Sequence, residues 1–234
     1  MKKQSGFTLI ELAIVLVIIG LLLGGVLKGQ ELINSARIKN VVNDFSSTSA
    51  AIYGYQDRYK QLAGDDPGTA GRWPAATGFP AADVGNGNGS LDNAGAACLF
   101  TDAAGATNEC YTFWVGLRQA GFITGVLTSG PPNNAYNGVL GVQNANDALQ
   151  SSPGGVATVG TGFKGLIVCE SNIPDKTALA IDNQLDDGNP STGSIRAILQ
   201  PNAVTPVTAI DGVAAPVSYQ ETATNYYTVC KAQQ

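Results

Sequence analysis

Apolar residues are spread along this chain in two unlike ways. From Phe7 to Leu27 they run almost without a break: after Phe7-Thr8-Leu9-Ile10-Glu11, the sixteen residues Leu12 to Leu27 are all apolar or glycine. As a helix this segment would be about 32 Å long at about 1.5 Å per residue, enough to cross the hydrocarbon of a bilayer. Beyond Leu32 the run gives way to a period. Ile38, Val41, Val42, Phe45, Ile52, Tyr55, Tyr59 and Leu62 recur at intervals of three, four or seven, with Arg37, Lys39, Asn43, Asp44 and Arg58 on the other side. The spacing predicts that one helix continues out of the membrane and buries a stripe, from about 32 to 62, against a globular head. Gly64-Asp65-Asp66-Pro67-Gly68 carries the turn chemistry that would end it.

The rest of the chain has no repeat of solenoid period and reads as short mixed elements. Tyr111 to Ala120 places Phe113, Trp114, Leu117 and Ala120 on one helical face, with Gly121 as a stop. Val139 to Val142, Gly165 to Cys169 and Ser194 to Leu199 have the β-branched or apolar character of strands. Pro174 to Leu185 fits a helix with Ala178, Ile181 and Leu185 inward, closed by Asp186-Asp187-Gly188. The expected fold class is α+β: a long N-terminal helix on an antiparallel sheet with short extra helices.

The polar leader Met1 to Gly6 ends before the apolar core begins, whereas an ordinary secretory signal places its cleavage site after the core. Cutting there would leave the membrane helix on the mature protein. Glu11 is the anomaly inside that helix, because a carboxylate in hydrocarbon is costly and wants a partner. Cleavage after Gly6 would create a cation on Phe7, one turn away on the same chain or a neighbour. The other reading is a Glu near the helix start that snorkels to the interface and favours the positive end of the helix dipole.

The residues Gly6-Phe7-Thr8-Leu9-Ile10-Glu11 resemble the prepilin leader and cleavage motif of type IV pilins and type II secretion pseudopilins. The resemblance implies that a prepilin peptidase/methyltransferase cuts after Gly6 and methylates the amino group of Phe7, and that Glu11 helps dock each subunit into a helical filament. It implies a leader over 1–6, a transmembrane and assembly helix over 7–30, and a pilin head over 31–234 that includes the C-terminal half of the long helix. The fold it implies is pilin-like. The implied partners are other pilin subunits, the inner-membrane assembly machinery and the membrane itself. The implied location is the bacterial inner membrane, with the head in the periplasm, and then the cell surface after assembly. One departure stands out: main-shaft members commonly carry a proline in the last third of the membrane helix, and here Lys28 occupies that region beside Gly20, Gly24, Gly25 and Gly29.

Without Lys2 and Lys3 the 13 basic residues fall to 11 against 18 acidic ones, a formal net charge of −7. That balance argues against nonspecific nucleic-acid binding, which needs basic surface to neutralise phosphates. Cys98, Cys110, Cys169 and Cys230 all lie on the side that a Lys-flanked, leader-first helix sends outward, and an even count there suggests disulfides. Four cysteines allow three pairings, of which Cys98 with Cys110 and Cys169 with Cys230 is the most local. C-terminal disulfides of many type IV pilins pin the last segment in the way the second bridge would. Zinc is the rival reading, disfavoured by the lack of histidine and of CxxC pairs.

Catalytic motifs are missing: no GxSxG, HExxH or Walker A sequence occurs, and zero histidines removes the commonest general base. Gly160 to Gly165 matches GxGxxG but leads into a strand rather than a helix. Asp83 to Asp92 resembles a calcium loop with its first acid one place off register, so Asp83, Asn86 and Asn88 are weak calcium candidates, as are Asp182, Asp186 and Asp187; turn formation by Asn, Asp and Gly explains both segments without an ion. No other cofactor is indicated. The expected function is a structural, non-enzymatic subunit of a type IV pilus-like filament. The alternatives are a type II secretion pseudopilin or a membrane-tethered periplasmic binding domain that never polymerises.

Overall fold

A computed structural model describes residues 8–73, 85–93, 96–102, 108–127, 129–145, 165–200, 202, 218–220, 222 and 224–233. Helix α1 spans Leu9–Tyr59, 51 residues without a break. The chain divides into two compact units, Met1–Lys39 and Asn40–Gln234. In the first, the large apolar side chains of α1 are exposed, from Leu9 at 88% to Leu27 at 67%.

The second unit is the head. Its part of α1 buries Val41, Phe45, Thr48, Ala51, Ile52 and Tyr55, the stripe that the sequence period predicts. The stripe is shorter than expected, since Leu32 and Ile33 are exposed and burial begins at Val41. Asp44, expected on the polar side, is half-buried. The helix also ends earlier than the Gly64 turn: Lys60 takes the left-handed conformation at φ 58° while its N–H still reaches the Gln56 carbonyl.

After α2 (Thr69–Arg72), the two-residue strands β1 (Asp92–Asn93) and β2 (Ala96–Ala97) pair antiparallel. Helix α3 (Glu109–Gln119) starts on Asn108, whose side chain accepts the Tyr111 N–H at 3.2 Å. It stops on Gly121, φ 78°, where Phe122 N–H reaches the Leu117 carbonyl and Gly121 N–H that of Arg118, a Schellman closure. Amphipathic spacing understates its burial: Glu109 and Arg118 are as enclosed as Phe113, Trp114 and Leu117, while Ala120 is only half-buried.

Strands β3 (Leu140–Ala145), β4 (Gly165–Pro174), β5 (Ile195–Gln200) and β6 (Tyr226–Ala232) form a four-stranded antiparallel sheet in the order β3-β4-β6-β5. Helix α4 (Asp175–Leu185) joins β4 to β5, with Ala178 and Ile181 inward and Leu185 only half-buried. The architecture is α+β and pilin-like: a long N-terminal helix, an antiparallel sheet and short helices. Gly141 on β3 is obligatory, because a Cβ there would lie 1.8 Å from the Phe100 carbonyl oxygen. A bulge interrupts the β4 to β6 register between Glu170 and Ile173, where Asn172 adopts φ 61°. Asn tolerates that conformation, and Gln200 braces it by accepting the Asn172 N–H at 2.6 Å.

Disulfides join Cys98 to Cys110 and Cys169 to Cys230, spanning 12 and 61 residues. The second links directly opposed residues of β4 and β6. It lies within a cluster of Phe100, Ala145, Ile167 and Ile198 on one sheet face. By the chain-entropy argument the longer loop stabilises by about 4 kcal/mol and the shorter by about 3 kcal/mol. We therefore predict that the Cys169→Ala/Cys230→Ala double variant loses more stability than Cys98→Ala/Cys110→Ala, measured by chemical denaturation of the membrane-extracted protein. Equal losses would contradict this ranking.

Candidate functional site

Helix α1 opens with a capping box, the Thr-x-x-Glu arrangement of Thr8 and Glu11. The Thr8 N–H donates to Glu11 Oε2 at 2.8 Å and the Thr8 hydroxyl to the same oxygen at 2.7 Å. In return Thr8 Oγ1 accepts the Glu11 N–H at 3.4 Å. Glu11 thus already has local donors within its own helix. The Thr-x-x-Glu signature was present in the sequence, where only a cation partner and snorkelling are considered for this acid. Gly6 and Phe7 lie outside the described residues.

Beyond the cap, α1 is apolar enough to cross a membrane: its best window has a mean hydropathy of 2.8 and none of that window is buried. A Cβ added at Gly20, Gly24, Gly25 or Gly29 would meet nothing within 4 Å, so packing within the chain does not require these glycines. They leave smooth patches of the kind that allow close helix approach. Lys28 pairs with Glu31 at 2.7 Å on the exposed surface, just past the apolar run.

In the head, the calcium-like segment is organised around acids from elsewhere in the chain. The Asp65 carboxylate is buried and accepts backbone N–H groups from Asn86, Gly87 and Asn88 on Oδ1 and from Gly89 on Oδ2. Glu109 accepts from Asn86 N and Asp92 N. Burial, with Asp92 and Asp65 close by, pushes the Glu109 carboxyl up to about 7. Asn86 and Asn88 turn their amide nitrogens onto Asp92 at 3.1 and 3.4 Å. The loop therefore satisfies its carboxylates with its own N–H groups, an anion nest filled from within. Asp83 lies outside the described residues.

Asp182, Asp186 and Asp187 do converge, with carboxylate oxygens within 4.8 Å of one another. All three already have donors. Asp182, pushed up by burial, accepts from the Tyr219 hydroxyl at 2.6 Å and Gly188 N at 3.0 Å. Asp186 accepts from Ile195 N, and Asp187 from Asn189 N and the Thr192 hydroxyl. The guanidinium of Arg196 feels the charge of Asp186, which supplies a countercharge. The trio braces the turn between α4 and β5 through its own hydrogen bonds. We predict that the melting midpoint of the protein is the same in millimolar calcium as in chelator. A rise of more than about 3 °C on adding calcium, the effect of roughly 1 kcal/mol in a chain of this size, would contradict the brace reading.

The GxGxxG match falls almost entirely outside the described residues, and its last member, Gly165, opens strand β4 rather than a helix. No curated protein and no solved structure matches the chain. Residues 1–27, however, match the family model for the prokaryotic N-terminal methylation motif, and with it the chain carries the prepilin motif of type IV pilins and pseudopilins.

Proposed function

We propose that this chain is a structural subunit of a type IV pilus-like filament. It is made as a precursor, cut after Gly6 by a prepilin peptidase and methylated on Phe7. It is stored in the inner membrane with its head in the periplasm, then assembled by packing α1 among the α1 helices of other subunits. The role is structural rather than enzymatic. One observation carries the reading: a prepilin motif is fused to a helix whose large apolar side chains, from Leu9 to Ile33, find no burial among the described residues. Glycine patches that its own packing does not need support the same role.

Intact-mass measurement of the membrane-extracted protein should give a mature chain beginning at N-methylated Phe7. Retention of Met1 to Gly6 in cells that hold a prepilin peptidase would overturn the precursor reading.

The assembly role of Glu11 needs two variants, because the acid both caps α1 and carries charge. Glu11→Leu removes cap and charge together, whereas Glu11→Gln keeps an acceptor for the Thr8 N–H and hydroxyl and removes only the charge. If docking pairs Glu11 with the Phe7 amino group of its own or an adjacent subunit, both variants insert, are cleaved and fold. Both should then drop out of sheared surface filaments by roughly tenfold or more relative to their membrane pool, as expected when a desolvated ion pair is broken. A Gln variant that enters filaments as well as wild type would show that the cap suffices and the charge is idle. Wild type absent from filaments altogether would favour a tethered domain.

A further inference from the structure

The buried acids of the head fall into two groups. Asp65, Asp66, Glu109 and Asp182 each accept two or more hydrogen bonds, and Asp175 accepts the Lys176 N–H. Glu170 differs. It is fully buried in the middle of β4, and neither carboxyl oxygen has a hydrogen-bond partner.

Among the described residues no cation acts on Glu170. Its register neighbours in the sheet are Leu140 on β3 and Val229 on β6. From α1 it faces the half-buried Asp44, a like charge that raises it further after burial itself, while Asp44 is in turn raised by its own burial. The amide of Asn134 lies close enough to favour ionisation slightly, but its Nδ2 donates to the Ser171 carbonyl at 2.8 Å. β3 carries no charged residue. Lys231 of β6 is in register with Val168, and Arg196 of β5 is in register with Cys230 and acts on Asp186. An ionised carboxylate in such a place is strongly disfavoured. Glu170 also sits at the edge of the β4 bulge, where the ladder is already interrupted.

We propose that Glu170 is held as a neutral carboxylic acid inside the head and makes the stability of the head pH-sensitive, firm in acid and loosening as pH rises. The sign follows from linkage. An acid whose folded pKa lies above its unfolded value gives its full stabilisation below the unfolded value, near 4.3. That contribution is lost progressively up to the folded value, because over that window the unfolded chain gives up a proton that the folded chain keeps. The Glu109 window closes at about 7. The Glu170 window opens at the same unfolded value and extends well above the usual glutamate range, because burial and then the Asp44 charge both raise it.

The test uses the full chain in detergent, wild type against Glu170→Gln, which is nearly isosteric with the neutral acid. As pH rises above about 4.3 the wild-type melting midpoint should fall more steeply than that of the variant, by about 4 °C per pH unit until Glu170 ionises in the folded head, the effect of one linked proton. Asp44 and Asp182 are common to both proteins, so the difference isolates Glu170. Infrared difference spectra at about pH 7 should show a protonated carboxylic acid band in wild type that is missing from the variant. Parallel melting profiles, or no such band, would overturn the proposal. Should Glu170→Gln fail to fold, Asp44→Asn serves instead: with its facing charge removed, the carboxylic acid band should vanish at lower pH than in wild type. A band unmoved by Asp44→Asn would equally refute the pairing of these two acids.

Discussion

One uninterrupted helix has to be stable in two media, and this constraint orders the rest of the molecule. From Leu12 to Leu27 every position is apolar or glycine, and the helical ladder meets the backbone donors and acceptors internally, as a low-dielectric medium demands. Over the second half a stripe from Val41 to Tyr55 is the spine of the head core, and a polar side faces water. The two patterns meet without a proline or break. The start of the helix carries the same demand, since the first backbone N–H groups have no partner inside the helix. The Thr8 and Glu11 box meets part of it.

Within the head, carboxylates do the work that regular structure leaves undone. The sheet has four strands and much of the rest is glycine-rich connection, whose backbone N–H groups need acceptors. Asp65 gathers four of them from residues 86–89, Glu109 shares that of Asn86 and takes that of Asp92, and Asp182 fixes the turn after α4. Asp66 joins Tyr55 on α1 to Gly68 and Arg72, and the guanidinium of Arg72 stacks over Tyr59 at 4.7 Å. Buried acids thereby pin loops to helices at points where apolar packing alone would leave them loose. Glu170 stands apart, because neither of its oxygens accepts a hydrogen bond from the described residues.

Legibility followed the range of the forces involved. The membrane helix and the prepilin motif are local, since length, hydropathy and a cleavable leader are properties of consecutive residues. The helices near 111–120 and 174–185 follow from periodicity and turn chemistry within a few residues of their true ends, the three expected strands overlap β3, β4 and β5, and the stripe on α1 is legible except that its burial starts only at Val41. β6 carried no such signal beyond Cys230. The acid sites were hidden, because Asp65 meets its donors more than twenty residues later and Glu170 meets Asp44 only across the fold. The full burial of α3 was equally hidden: an amphipathic reading assumes one wet face, and this helix is enclosed around Glu109 and Arg118 as well. Lys60 ended α1 in a left-handed turn that no residue preference announces.

The cap on Glu11 changes how an acid in a membrane helix should be weighed. A carboxylate with no partner in hydrocarbon would be driven to find a cation, and docking would follow from the need alone. Here the acid has donors from Thr8 in its own first turn, so the isolated subunit does not store an unsatisfied charge that assembly must relieve. Any docking preference must then come from the difference between a capped carboxylate and one that is capped and also paired, a smaller quantity than the full burial cost. On the proposed filament reading, such a modest difference would suit a subunit that waits in the membrane until assembly machinery presents neighbouring helices, and the selectivity would lie in the helix surface, where the glycine patches allow close approach.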